Sequence, residues 1–277
     1  MKKFMMLFLT VLLSSCVSVS YQPIETISQI DRTQGYRIRS ALANNDGNLI
    51  IVMFSGGGTR AAALGYGMLE QFSHTPINTQ HASRMLIDQV DMVYGVSGGA
   101  VLAAYYALEG RDEKFLKKDF QGQVVNQIFS LSNLPLLMSP QFGRGDLSQK
   151  EFNLALYKGK TFRDLEKHRK GPFAIISATD MNAGQKITFT QDFFDAFCLN
   201  LGDLEIARAV AASSAAPLVL SPLTLNNNGG HCHFSESYVG EVLGSLKKEG
   251  LTEKNLEETR SLASYYQREE RPFLHLV

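Results

Sequence analysis

Residues 49–60 read LIIVMFSGGGTR and carry the strongest structural signal in the chain. The stretch begins with a continuous apolar run rich in β-branched side chains, which is typical of a strand covered on both faces. Three glycines follow the run, and residues 61–72 then contain good helix formers. The stretch therefore predicts a buried strand, a tight glycine turn and a helix.

A second unit with the same order follows further along the chain. The apolar run from Val90 to Tyr94 predicts a strand, residues 95–99 a glycine-rich turn and residues 100–108 a helix. Strands that alternate with helices indicate an α/β fold with a mainly parallel sheet. The other predicted elements are strands at 173–179, 186–190 and 273–277, helices at 204–213 and 241–271, and an inserted helical and loop segment at 111–170.

Length and composition exclude several classes of protein. The chain has 277 residues, of which 44% are apolar, and this is enough for one large domain with a buried core. The 27 basic residues balance the 27 acidic ones. A chain with this charge balance is not expected to bind the phosphate backbone of nucleic acids.

The N-terminus has the pattern of a secretory leader. Residues 1–15 have a basic start followed by an apolar run that is too short to span a bilayer. The leader ends at Leu13-Ser14-Ser15-Cys16, which resembles the lipobox of bacterial lipoproteins. We predict cleavage before Cys16 and a lipid on its sulfur, which would hold the protein on a membrane. A plain signal peptide with an incidental cysteine is the alternative.

The residues after the leader predict the protein's location and its domain boundary. Val17 stands where an Asp would signal retention at the inner membrane, so we expect the outer membrane, with the protein facing the periplasm. Residues 16–48 are polar and mixed, and we interpret them as a tether with one short helical stretch. The folded domain is then expected at residues 49–277.

Two cysteines remain besides Cys16 after the leader is removed. Cys198 and Cys232 form an even pair in what should be an oxidising compartment. A disulfide between them is therefore predicted. Two buried thiols are the alternative.

The second glycine turn has the pattern of a catalytic nucleophile. Residues 95–99 fit the G-x-S-x-G elbow, in which small flanking residues permit a strained turn that exposes the serine hydroxyl. In this motif Gly95 and Gly99 flank Ser97, and the predicted strand before it and helix after it are the right context. The alternative is a glycine-rich turn with a capping serine.

The first glycine turn has the pattern of an anion-binding loop. Gly56, Gly57 and Gly58 place unobstructed backbone N–H groups at a helix N-terminus, where a developing oxyanion would be stabilised. A dinucleotide-binding fingerprint also fits, but residues 74–84 are polar where the next strand should end in an acidic residue. A phosphate-binding P-loop fails because no Gly-Lys-Ser or Gly-Lys-Thr follows. We expect no cofactor.

Together these motifs resemble the patatin-like phospholipase family. They are the glycine loop with Arg60, the G-x-S-x-G elbow and the small-residue block at 212–217, and they occur in the family's order. The resemblance covers residues 49–277 and implies a patatin-type three-layer α/β sandwich with a Ser-Asp dyad that hydrolyses lipid acyl esters. It implies that Ser97 is the nucleophile, that the glycine loop forms the oxyanion hole, and that Arg60 supports this loop or binds a lipid phosphate.

One departure from the family pattern concerns the catalytic base. The family's Asp lies in an Asp-Gly-Gly or Asp-Gly-Ala motif directly after a late strand, and the only Asp-Gly here is Asp46-Gly47, ahead of the first strand. The apolar run at 273–277 resembles the strand that should precede the Asp. We therefore expect a truncated or split member, with weak or no activity alone, and a second polypeptide is a candidate carrier of the missing segment.

Two further interpretations remain open. The chain could be an inactive lipid-binding or interaction lipoprotein that keeps the fold. It could instead be an esterase with a triad, because Asp180 or Asp203 and a later histidine follow Ser97 in the required order. The candidate histidines are His231, His233 and His275. No metal site is expected, because the pair beside Cys232 lacks a second ligand pair at zinc spacing.

Overall fold

The computed structural model describes residues 24–42, 48–78, 83–111, 144–215, 222–234, 264 and 273–277. The strands in these ranges are β1 (Ile51–Phe54), β2 (Pro76–Asn78), β3 (Ser83–Met85), β4 (Met92–Val96), β5 (Phe173–Asp180), β6 (Gln185–Thr188), β7 (Leu223–Asn226) and β8 (Phe273–Leu276). The helices are α1 (Arg39–Leu42), α2 (Gly58–His74), α3 (Gly98–Glu109), α4 (Arg144–Phe152), α5 (Phe162–His168), α6 (Gln191–Phe194) and α7 (Ile206–Ser213). A π-helical segment spans Asn153–Tyr157, and short 3-10 helices span Leu86–Gln89, Asp195–Phe197 and Leu201–Asp203.

The main sheet is mixed, and its strand order is β1-β4-β5-β8-β7, with β6 also paired to β5. The strands β1, β4 and β5 are parallel. β6 pairs antiparallel with the opposite edge of β5, whereas β8, which also pairs with β7, is antiparallel to β5 on the same edge as β4, beyond the end of β4. The predicted α/β class with parallel central strands is therefore confirmed. Because β1 and β4 are parallel and adjacent, the two glycine turns that follow them lie at the same edge of the sheet.

The helix that follows β4 lies at the centre of the core. All residues of α3 from Gly98 to Leu108 are buried. The helix packs against the central strands on one side and against α2, α5 and α7 on the others. Its many alanines and glycines allow this close approach, since a helix that is apolar on every face is stable only when it is surrounded.

The segment before β1 belongs to the folded body, which differs from the predicted tether. Tyr36 is completely buried and stacks on Phe173, with 4.1 Å between ring centroids. Its hydroxyl donates to the carbonyl oxygen of Ala174 at 3.0 Å and accepts from the amide of the same residue at 2.8 Å. Tyr36 thus takes the place of a neighbouring strand beside β5, and burial raises the pKa of its hydroxyl.

A buried ion pair also holds this N-terminal segment. The Arg37 guanidinium lies 2.7 Å from the carboxylate of Asp195, and both side chains are almost fully buried. Burial by itself lowers the pKa of Arg37, but hydrogen bonds and charge from Asp195 and Asp192 outweigh it and raise that pKa. The folded body therefore begins before Leu49, because Arg37 and Asp195, 158 positions apart in sequence, meet here.

Several sequence predictions lie outside the described residues. These are the leader at 1–15, the lipidation site Cys16, most of the helical pattern at 241–271 and the middle of the inserted segment, 112–143. Among the helices that the structure does describe, none is both long and apolar enough to cross a bilayer.

Candidate active site

The predicted nucleophile lies on a sharp turn between β4 and α3. Ser97 has φ 54° and ψ −124°, a left-handed backbone conformation that costs a non-glycine residue roughly 1–3 kcal/mol. Its carbonyl oxygen accepts hydrogen bonds from the amides of Ala100 at 2.9 Å and Val101 at 3.3 Å. The side chain is half-buried, so its hydroxyl lies at the surface of the core rather than inside it.

Glycines around Ser97 make this turn sterically possible. A Cβ on Gly95 would lie 2.6 Å from the Cα of Ala100, and one on Gly99 would lie 2.4 Å from the carbonyl oxygen of Phe54. Side chains at these positions would push the helix away from the sheet. The glycines that the G-x-S-x-G pattern requires are thus explained by close backbone approach.

The first glycine turn lies against the nucleophile. A Cβ on Gly56 would be 3.4 Å from the Cβ of Ser97. The next two residues, Gly57 and Gly58, have φ values of 139° and 62°, which side chains rarely tolerate. Because α2 begins at Gly58 and no side chain caps it, its first amides are free to bind an anion beside Ser97.

Arg60 lies on the first turn of α2, directly after the glycine loop. Its side chain is exposed, and it forms no hydrogen bond or ion pair with any residue that the structure describes. Nothing in the described part of the chain therefore neutralises this charge next to the anion-binding loop.

One residue to which the sequence patterns give no individual role, Ser213, contacts Ser97 directly. The backbone amide of Ser97 donates a hydrogen bond of 2.8 Å to Oγ of Ser213, which is the last residue of α7. The block at 212–217 was recognised from its small residues, but its partner across 116 positions could not be read from spacing. Since the Ser97 amide is engaged, the oxyanion donors must come from elsewhere.

The residues of the alternative triad are not brought together around Ser97. Asp180 pairs with Leu276 across β5 and β8, so the side chain of His275 projects from the opposite face of the sheet. The Asp180 carboxylate accepts from the amide of Asn182 at 3.0 Å, and Nδ1 of His275 lies 3.0 Å from Oγ1 of Thr224. These contacts account for both groups without Ser97.

The other triad candidates lie on loops with partners of their own. Asp203 forms a surface ion pair of 2.6 Å with Arg163. His231 and His233 are exposed in the loop after β7. Within the described part of the chain, the Ser97 hydroxyl has no hydrogen-bond partner, and no group of three acidic, histidine or cysteine residues could hold a metal ion.

Cys198 and Cys232 form the predicted disulfide bond. Their sulfur atoms are bonded at 2.11 Å, and the bond ties the segment after α6 to the loop after β7. The amide of Asn228 in that loop also donates to the carbonyl oxygen of Phe197 at 3.0 Å. The loop between Cys232 and β7 is therefore attached to the core at two points.

The elbow serine and the facing glycine loop lie side by side, in the arrangement that the sequence motifs predict. Residues 52–239, more than half of the chain, match the family model described as patatin-like phospholipase. The chain belongs to the patatin-like phospholipase family, whose members are lipid ester hydrolases.

Two solved structures are also similar to this chain. The type III effector protein ExoU shares 19% identity over 61% of this chain and 40% of its own, with a TM-score of 0.34. VipD from Legionella pneumophila shares 12% identity over 76% of this chain and 49% of its own, with a TM-score of 0.33. The chain thus spans less than half the length of each. No curated protein matches it.

Proposed function

We propose that the protein is a lipid acyl hydrolase that uses Ser97 as its nucleophile. One observation carries this proposal: Ser97, with its strained backbone, lies against a glycine loop with free amides. A Cβ built on Gly56 of that loop would be 3.4 Å from the Cβ of Ser97. Family membership supports a lipid ester as the substrate class. Ser97 Oγ attacks the ester carbonyl carbon, and the carbonyl oxygen becomes an oxyanion. The oxyanion then collapses, so that the alcohol leaves and an acyl-enzyme on Ser97 remains.

The glycine loop would stabilise the oxyanion. The amides of Gly57 and Gly58 lie at the N-terminus of α2, where the helix dipole also favours negative charge. Removing one such donor typically costs about 10²- to 10³-fold in turnover. The Ser97 amide cannot contribute, because it donates to Ser213.

The reaction also needs a base, and the register of β8 supports one position for it. The amide of Val277 donates to the carbonyl oxygen of Thr179 at 2.9 Å. A residue following Val277 on β8 would therefore stand opposite Ala178, on the same edge of β5 as β4, where Val96 stands opposite Ser177. That position lies just beyond the end of β4, next to Ser97, the residue that follows Val96.

We propose that the dyad's Asp occupies this position, on a further segment of the chain or on a second polypeptide. Because β4 and β8 approach each other end to end along this edge of β5, the two side chains can converge. The Asp carboxylate would take the proton from Ser97 Oγ as the Oγ–C bond forms. It would return the proton to the leaving alkoxide as the ester C–O bond breaks, and it would later activate the water that releases the acid.

A pair of extended chains tests this proposal. The chain is lengthened after Val277 by Asp-Gly-Gly in one protein and by Asn-Gly-Gly in the control, and hydrolysis of a fluorogenic acyl ester is measured. We expect the Asp protein to be about 10²- to 10⁴-fold faster, because a positioned base contributes that much. Equal rates in two folded proteins would contradict the dyad.

The proposed substrate is a membrane phospholipid, and the proposed location is the outer membrane facing the periplasm. Arg60, exposed and without a partner among the described residues, supports a phosphate contact beside the oxyanion loop. The lipobox at Cys16 supports anchoring, and the bond between the other two cysteines fits an oxidising compartment. Mass analysis of the mature N-terminus tests the anchor: a lipid adduct on Cys16, absent in Cys16→Ser, is expected.

A second candidate is an inactive protein that binds lipid but does not hydrolyse it. It is favoured by one observation, that the Ser97 hydroxyl has no base among the described residues. The two candidate functions predict different results for the Asp-extended chain. Binding to phospholipid vesicles without any acyl release would support the second candidate, and acyl release that Ser97→Ala abolishes would support the first.

A further inference from the structure

We propose that Ser213 is a positioning residue that holds the nucleophile's backbone in its catalytic conformation. This inference rests on the proposed function, because it concerns how Ser97 is kept ready for attack. The contact that carries it is the hydrogen bond from the Ser97 amide to Oγ of Ser213, at 2.8 Å. Ser213 would touch neither substrate nor base and would act only through Ser97.

The support beneath Ser213 is rigid. All eight residues of α7 are buried, and Ser213 itself is only 8% exposed. The helix packs against β5 and α3, which are the neighbours of the elbow. The hydroxyl is therefore carried to the elbow on a helix that has no freedom to move away from it.

The strained backbone of Ser97 requires a stabilising contact from outside the turn. Ser97 has a left-handed backbone, and such a conformation persists only where the surrounding structure enforces it. The carbonyl of Ser97 is held by the first amides of its own helix, Ala100 and Val101. In the described structure its amide is held by Ser213, which is contributed by a different helix.

The hydrogen bond to Ser213 also determines which backbone amides can bind the oxyanion. An amide that donates to Ser213 cannot turn toward a developing oxyanion, so oxyanion binding falls to the glycine loop at the start of α2. Loss of the Ser213 hydroxyl would leave the Ser97 amide without an acceptor. The turn would then relax toward a right-handed conformation, and Oγ would move away from the loop.

The neighbouring serine provides a matched control. Ser214 carries the same hydroxyl one position later, and its Oγ is buried without a hydrogen-bond partner among the residues that the structure describes. Ser214→Ala therefore removes the same atom from the same block without touching Ser97. Ser213→Thr keeps the hydroxyl and tests for rescue.

The experiment compares the full chain with Ser213→Ala, Ser213→Thr and Ser214→Ala, after thermal unfolding has shown that each is folded. Two quantities are measured: the hydrogen-exchange rate of the Ser97 amide, by NMR with 15N-serine labelling, and the rate at which a fluorophosphonate modifies Ser97. In Ser213→Ala we expect faster exchange by tenfold or more and slower labelling by a similar factor. Ser213→Thr should restore both rates, and Ser214→Ala should leave both unchanged.

The exchange measurement separates this inference from the proposed function. If the fluorophosphonate modifies none of the proteins, including the parent chain, labelling of the Asp-extended chain decides the proposed function, while exchange alone decides whether Ser213 holds the amide. Unchanged exchange in folded Ser213→Ala would overturn the inference. So would equal effects of Ser213→Ala and Ser214→Ala, or a folded Ser213→Thr that behaves like Ser213→Ala.

Discussion

Gly98 and Gly58 approach each other so closely that a Cβ on Gly98 would lie 2.0 Å from the carbonyl oxygen of Gly58. One glycine directly follows Ser97 and the other begins α2, so this contact joins the elbow to the glycine loop. The two motifs, separated in sequence, act as one rigid unit. Their relative position is set by backbone packing rather than by side chains.

The first prediction concerns this contact. Gly98→Ala should separate the loop from Ser97 and lower ester hydrolysis by about 10²-fold, because a displacement near 1 Å has that effect on positioned groups. Gly67→Ala is the control, since a Cβ there meets nothing within 4 Å and α2 should gain up to about 1 kcal/mol of stability. Rates are compared in the Asp-extended chain. An active Gly98→Ala protein would show that the two loops need not touch.

The second prediction concerns Arg60. In the Asp-extended chain, Arg60→Gln should lower hydrolysis of a phospholipid about tenfold or more, because a charge-assisted contact to phosphate contributes about 1.5–3 kcal/mol. Hydrolysis of an uncharged acylglycerol should not change. If both substrates lose activity equally, Arg60 supports the glycine loop and does not recognise phosphate.

The third prediction concerns the N-terminal segment. Tyr36→Phe keeps the ring on Phe173 but removes the hydroxyl that serves both the amide and the carbonyl of Ala174. Two buried backbone groups lose their partner, so the free energy of unfolding should fall by about 1–3 kcal/mol. Urea unfolding of the two proteins measures it. A difference near zero would mean that the segment from residue 24 adds nothing to the domain, as a tether would.

The fourth prediction concerns the bond between Cys198 and Cys232. It closes a loop with a sequence separation of 34, which in the chain-entropy model is worth about 4 kcal/mol. Reduction should therefore lower Tm, and the double variant Cys198→Ala/Cys232→Ala should have a lower Tm that no longer responds to reductant. Free thiols in protein purified under oxidising conditions would contradict the bond.

The two strand-turn-helix units could be predicted from sequence because their signals are local. An apolar run, a glycine turn and a helix pattern lie next to one another in each, and the observed β4 at Met92–Val96 is shifted by only two residues from the predicted strand. The elbow serine and the facing glycines follow from the same local patterns. The predicted hairpin of β5 and β6 was likewise marked by its turn residues.

The parts that were missed depend on contacts between distant residues. Tyr36 reaches Ala174 across 138 positions, and no local pattern marks a tyrosine that replaces a strand. Ser213 reaches Ser97 across 116 positions, and only the small-residue block hinted that something packs there. Local sequence patterns thus predicted Ser97 and the glycine loop, while the groups that hold them in place required the fold.

The measurement that tests the central claim most directly is localisation of a fluorophosphonate adduct by mass spectrometry in the Asp-extended chain. A single adduct on the peptide that contains Ser97, absent in Ser97→Ala, is the predicted result. A folded protein that remains unmodified, or an adduct that persists in Ser97→Ala, would contradict the claim that Ser97 is the nucleophile.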